Sequence, residues 1–149
     1  MKKFLFALSL LAVSFTGTAH AASGKDALAK LAPPGGASTQ AITGSAYFGG
    51  MLRVARTNCS DVRIGQAMNS GFRFTGFGNT GVAQFSGITY RGAIRGSVFN
   101  GRGAARGARG QMAAGFTGAG GRVSGARVAI VLQAASGCAV GLTGNFRVR

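Results

Sequence analysis

From residue 41 to the C-terminus, apolar and polar side chains alternate in short runs separated by glycine, asparagine and serine. The clearest run is the last. Val140, Leu142, Gly144, Phe146 and Val148 share one parity, while Ala139, Gly141, Thr143, Asn145, Arg147 and Arg149 take the other. A period of two sends alternate side chains to opposite faces, so this run predicts a half-buried β-strand. Residues 42–48, 51–56, 61–66, 71–77, 82–90, 93–99, 111–116 and 127–133 predict further strands on the same ground. Gly78-Asn79 and Asn100-Gly101 are expected tight turns, because these residue types suit turn backbones.

Short strands at close spacing, joined by short connections, predict an all-β domain over residues 41–149. The expected architecture is a small glycine-rich antiparallel β-barrel of the up-and-down meander type, with a β-sandwich as the alternative. Glutamate is absent and leucine is sparse, which further disfavours helices. Glycines within the runs, such as Gly76, Gly87, Gly96 and Gly144, mark bends, bulges or closely packed backbones.

The first 40 residues have a different texture. Lys2 and Lys3 precede an apolar run over residues 4–15, and Ala19-His20-Ala21 has the small-x-small form of a cleavage site. Residues 1–21 are therefore expected to be a signal peptide, removed after Ala21. The apolar run is shorter than the roughly 20 residues a membrane-spanning helix needs. Residues 22–40 are expected to be a flexible arm or a short helix. Ser23 could cap such a helix, Leu28 and Leu31 lie three apart on one face, and Pro33-Pro34-Gly35-Gly36 ends it.

Export sets the reading of the cysteines. Cys59 and Cys138 are the only two in the chain. An isolated pair in an oxidising compartment predicts a disulfide bond. Such a bridge would tie an early strand to the last one, where a barrel must close.

Composition then narrows the chemistry. Of 17 basic residues, Lys2, Lys3, Lys25 and Lys30 are lysine, leaving 17 − 4 = 13 arginines. Asp26 and Asp61 are the only acids, and the only histidine, His20, leaves with the leader. Loss of two leader lysines changes the net charge from +15 to +15 − 2 = +13. General acid–base catalysis needs groups that titrate near neutral pH, and metal sites need clustered ligands. Asp61 follows a turn-like Asn58-Cys59-Ser60 run and reads as a turn or arginine partner. No catalytic residue, metal ligand or cofactor is assigned, and the expectation is a non-enzymatic protein.

Arginine placement is the positive signal. Arg53, Arg63, Arg73 and Arg147 each lie between two apolar residues. If those neighbours face a core, the arginines share the opposite surface. The segment 101–110, GRGAARGARG, adds Arg102, Arg106 and Arg109 on what reads as a flexible loop. Guanidinium groups contact phosphate and carboxylate in bidentate fashion and stay charged at any relevant pH. These seven arginines are the expected ligand-binding residues.

The partners that fit are lipopolysaccharide, acidic polysaccharide, extracellular nucleic acid or anionic lipid headgroups, with peripheral membrane contact. The expected location is periplasmic or extracellular. The alternatives are a structural or assembly module that associates through sheet edges, or a small outer-membrane β-barrel. Most phenylalanines are expected in the core. Phe77, Phe99 and Tyr90 are candidates for exposure or for lining a cavity.

Overall fold

The computed structural model describes residues 42–119 and 122–149. The expected leader and arm fall outside these residues. The described chain forms β1 (Ile42–Thr57), β2 (Ala67–Gly78), β3 (Thr80–Phe85), β4 (Ile88–Arg95), β5 (Val98–Ala105), β6 (Ala108–Ala119), β7 (Arg122–Gln133) and β8 (Ala139–Val148). Each strand pairs antiparallel with the next, and β8 pairs with β1. The sheet is therefore a closed up-and-down barrel, not a sandwich.

Two turns show how short connections are achieved. Ser86-Gly87 joins β3 to β4 with φ values of 50° and 79°, and Arg106-Gly107 joins β5 to β6 with 48° and 75°. Two left-handed residues in a two-residue hairpin turn match the right-handed twist of the flanking strands.

Several sequence-based strand boundaries need correction. Residues 42–48 and 51–56 belong to one strand of 16 residues, because Gly49 and Gly50 keep their ladder partners in β2 and β8. Residues 61–66 form a loop that folds back on β1, where the Gly65 N–H donates to the Val54 carbonyl at 2.8 Å. Residues 82–90 and 93–99 each span a hairpin turn. Asn100-Gly101 is not a turn but the middle of β5, opposite Ala93 and Gly92. Gly78-Asn79 does lie at a junction, between β2 and β3.

The largest difference is at residues 101–110. This segment is the β5–β6 hairpin, and only Arg106-Gly107 is turn. Its alternation is hidden because the inward positions hold Gly101, Gly103, Ala105, Ala108 and Gly110 instead of large apolar residues. Neighbouring rings occupy the space those positions leave. A Cβ on Gly101 would lie 2.8 Å from Phe99 Cε1, and one on Gly110 would lie 2.7 Å from Tyr90 Cε1.

The interior is aromatic. Phe48 stacks on Phe72 with ring centroids 4.8 Å apart, and Phe74 lies 4.6 Å from Phe116. Phe146 meets Phe72 edge-on, and Phe99 meets Phe74 in the same way. Such ring pairs contribute about 0.5–1.5 kcal/mol beyond area burial. Leu52, Val54, Met112, Val128, Ile130 and Leu132 fill in around them, all fully buried. A barrel of this strand number is just wide enough for side chains to fill its interior. Phe99 and Tyr90 belong to this packed core, whereas Phe77 points outward and is 62% exposed.

The disulfide between Cys59 and Cys138 joins the β1–β2 loop to the β7–β8 loop, with Cα atoms 5.0 Å apart. It sits beside the β1–β8 seam that closes the barrel. Asn58 reinforces it: its N–H donates to the Ala139 carbonyl at 3.2 Å, and its Oδ1 accepts from the Ala139 N–H at 2.6 Å. A disulfide is compatible with an exported, non-cytoplasmic protein.

Candidate polyanion-binding surface

Strand alternation segregates most side chains in kind, with Tyr47, Met51 and Phe77 among the exposed exceptions. Most rings and aliphatic groups point inward, and the strand arginines are exposed. Every strand except β3 carries at least one arginine. Arg53, Arg73, Arg102, Arg109 and Arg147 are all exposed on strands. Arg106 is exposed in the β5–β6 turn.

Arg63 does not share a strand surface with them. It lies in the loop between β1 and β2, where its carbonyl accepts from the Gln66 N–H at 3.2 Å. The flanking Ile64 is 69% exposed, so the apolar neighbours of Arg63 do not define a core-facing pair.

Closure of the sheet divides the other expected residues between two sides. Arg53, Arg73 and Arg147 stand on β1, β2 and β8, which are adjacent in the barrel. Arg102, Arg106 and Arg109 belong to the β5–β6 hairpin, half a turn away around the ring. The seven residues therefore do not meet at one site.

On the β5 side, sequence reading missed a key neighbour. Arg91 of β4 lies directly opposite Arg102 of β5. Arg102 is opposite Gln111 of β6, so Arg109 sits on the diagonal from it. Directly opposed side chains have Cβ atoms about 4.5–5.5 Å apart, and like charges there are destabilising. Locating the two-residue Gly96-Ser97 turn would have revealed the pair, because antiparallel pairing outward from it brings residues 91 and 102 together.

On the β1 side, Arg73 lies opposite Tyr47, and its Nε–H donates to Ser45 Oγ at 3.2 Å. Thr75 Oγ1 is 3.1 Å from the same Ser45 oxygen. Arg147 lies opposite Gly49. Arg149, also missed from sequence, donates its N–H to the Tyr47 carbonyl at 3.0 Å. Tyr47 is 50% exposed among these cations.

Counter-charge is scarce. Asp61 is the only Asp or Glu among the described residues, and it accepts a hydrogen bond from Ser60 Oγ at 2.8 Å in the β1–β2 loop. The other group of chemical interest is buried. Tyr90 Oη has no hydrogen-bond partner among the described residues, and desolvation by burial raises its pKa above the ordinary tyrosine range. It lies among apolar side chains, away from the outward cations. No family model, curated protein or solved structure matches this chain.

Proposed function

We propose that this is an exported, non-enzymatic binding protein, acting in the periplasm or outside the cell, whose arginines contact an anionic polymer or lipid headgroup. The observation that carries this reading is the Arg91–Arg102 pair on β4 and β5. Two like charges directly opposed in the ladder, with no carboxylate on any described strand, destabilise the free barrel slightly. A phosphate, sulfate or carboxylate between them would relieve that repulsion and gain charge-assisted hydrogen bonds. The remaining outward arginines would supply the long-range attraction that steers a polyanion to the surface.

The same segregation weighs against an outer-membrane barrel. Such barrels turn apolar groups toward lipid, and arginine at the bilayer midplane costs about 2–4 kcal/mol. Here the apolar groups fill the interior. Assembly through a sheet edge has one observation in its favour. The β1 stretch 42–46 pairs with β2 but lies beyond the paired register of β8. Sedimentation of the purified protein across a range of concentrations tests that second reading; a monomer throughout excludes self-assembly through this edge.

Heparin and DNA retention at increasing salt tests the first. The logarithm of affinity should fall linearly with the logarithm of salt concentration, because binding releases counterions. Substituting Arg91, Arg102 and Arg109 together with alanine should flatten that slope. Wild-type protein that binds no polyanion at low salt overturns the proposal.

A further inference from the structure

We infer that the outward face of β8, β1 and β2 carries a stacking platform for the bases of single-stranded nucleic acid. This rests on the polyanion-binding reading and specifies its ligand class and contact site. The platform begins with two glycines. Gly49 of β1 and Gly71 of β2 are directly paired. Neither position carries a side chain to stand above the sheet.

Their neighbours lie across the open floor. A Cβ on Gly71 would overlap Tyr47 Oη and lie 2.6 Å from its Cζ. The tip of the Tyr47 ring therefore reaches from β1 across to β2, along the sheet instead of away from it. A Cβ on Gly49 would overlap Arg149 Nε and lie 2.6 Å from its Cζ. A guanidinium and a phenol ring thus lie beside each other over paired glycines. Tyr47 remains 50% exposed, so the ring is half open to solvent.

Both strands that neighbour β1 carry an exposed cation near this position. Arg73 is opposite Tyr47 on β2, with its Nε held by Ser45. Arg147 is opposite Gly49 on β8. Adjacent strands are about 4.8 Å apart, so these cations stand within a strand or two of the ring. Phe77 gives β2 a second outward ring, 62% exposed and four residues from Arg73.

An accessible ring between cations suits a ligand that alternates flat π-faces with anionic groups. Single-stranded nucleic acid has that form, and aromatic–base stacking tolerates any sequence. Duplex DNA keeps its base faces stacked internally. Acidic polysaccharides supply charge without planar aromatic bases. The glycine floor is the feature that charge alone leaves without a role.

The test compares two strands of equal charge. Fluorescence anisotropy would measure binding of a short oligothymidylate and of an abasic oligomer with the same phosphate count. Tyr47→Ala should weaken oligothymidylate binding about thirtyfold, the middle of the range for loss of one stacking contact. It should leave the abasic strand and the salt slope unchanged. Tyr47→Phe should retain wild-type affinity. Gly71→Val should mimic Tyr47→Ala by lifting the ring, with retained barrel circular dichroism confirming that the variant folds.

Equal weakening of both strands by Tyr47→Ala, or no weakening of either, overturns the platform. Wild-type binding to heparin but to neither strand also overturns it and leaves the broader reading standing. If wild type binds none of the three at low salt, both proposals fall.

Discussion

Arg91 and Arg102 are directly opposed in the β4–β5 register, both exposed, in a barrel whose described strands carry no carboxylate. On the proposed function this pairing opposes stability and favours anion binding, so the two properties should separate on mutation. Arg91→Ala with Arg102→Ala should raise the free energy of unfolding by about 0.2–1 kcal/mol at low salt, through loss of like-charge repulsion. The same variant should elute from heparin at lower salt. For DNA, each contacting arginine removed should reduce the magnitude of the salt slope by about one unit. Urea titration and salt-gradient elution measure the two effects.

Tyr90 gives a prediction about the interior. Its hydroxyl is buried without a hydrogen-bond partner among the described residues. Tyr90→Phe removes a polar group whose desolvation costs about 1–3 kcal/mol, so the variant should be as stable as wild type or more so. A clear loss of stability in urea would show that the hydroxyl has a partner.

The same residue predicts a pH response. Burial raises its folded pKa above that of the unfolded chain. The unfolded state therefore releases this proton first. Stability present below about pH 10, the ordinary tyrosine value, should decline as pH climbs beyond it. Tyr90→Phe should remove this residue's share of the alkaline decline, measurable as a smaller fall in urea midpoint between neutral and alkaline buffer.

The Cys59–Cys138 bridge closes a loop with a sequence separation of 79. In the chain-entropy model a loop of that length contributes about 4.5 kcal/mol. Cys59→Ser should lower the unfolding free energy by a few kcal/mol without altering the strand order. Denaturant titration measures the loss, and non-reducing peptide mapping of wild type should recover the linked peptides.

Gly81 tests the role of inward glycines. A Cβ there would lie 2.6 Å from Phe74 Cζ and 3.3 Å from Ile94 Cδ1. Gly81→Val should destabilise the barrel by about 1–3 kcal/mol through overpacking. A neutral result in thermal unfolding would show that the Phe74 ring can move aside.

Local alternation alone determined that the chain is all-β from about residue 41. It also determined that Arg53, Arg73 and Arg147 point away from the core, because each lies between side chains that the strand period turns inward. The isolated cysteines determined their own pairing. Period, residue type and count are properties of a segment, and they survive without knowledge of its neighbours.

Tertiary structure decided the rest. Residues 101–110 show no strand signal because their inward positions are glycine and alanine, and the rings that complete the packing include Tyr90 from another strand. The continuity of β1 through Gly49-Gly50 depends on ladder partners in β2 and β8. Arg63 looked like a strand residue because Val62 and Ile64 flank it, but the loop leaves Ile64 in solvent. Ring closure carried Arg73 and Arg102 to different sides, and register alone brought Arg91 to Arg102 and set Tyr47 beside Gly71. Parity is written along one strand. What stands opposite it, and what fills the space a glycine leaves, depends on non-local pairing.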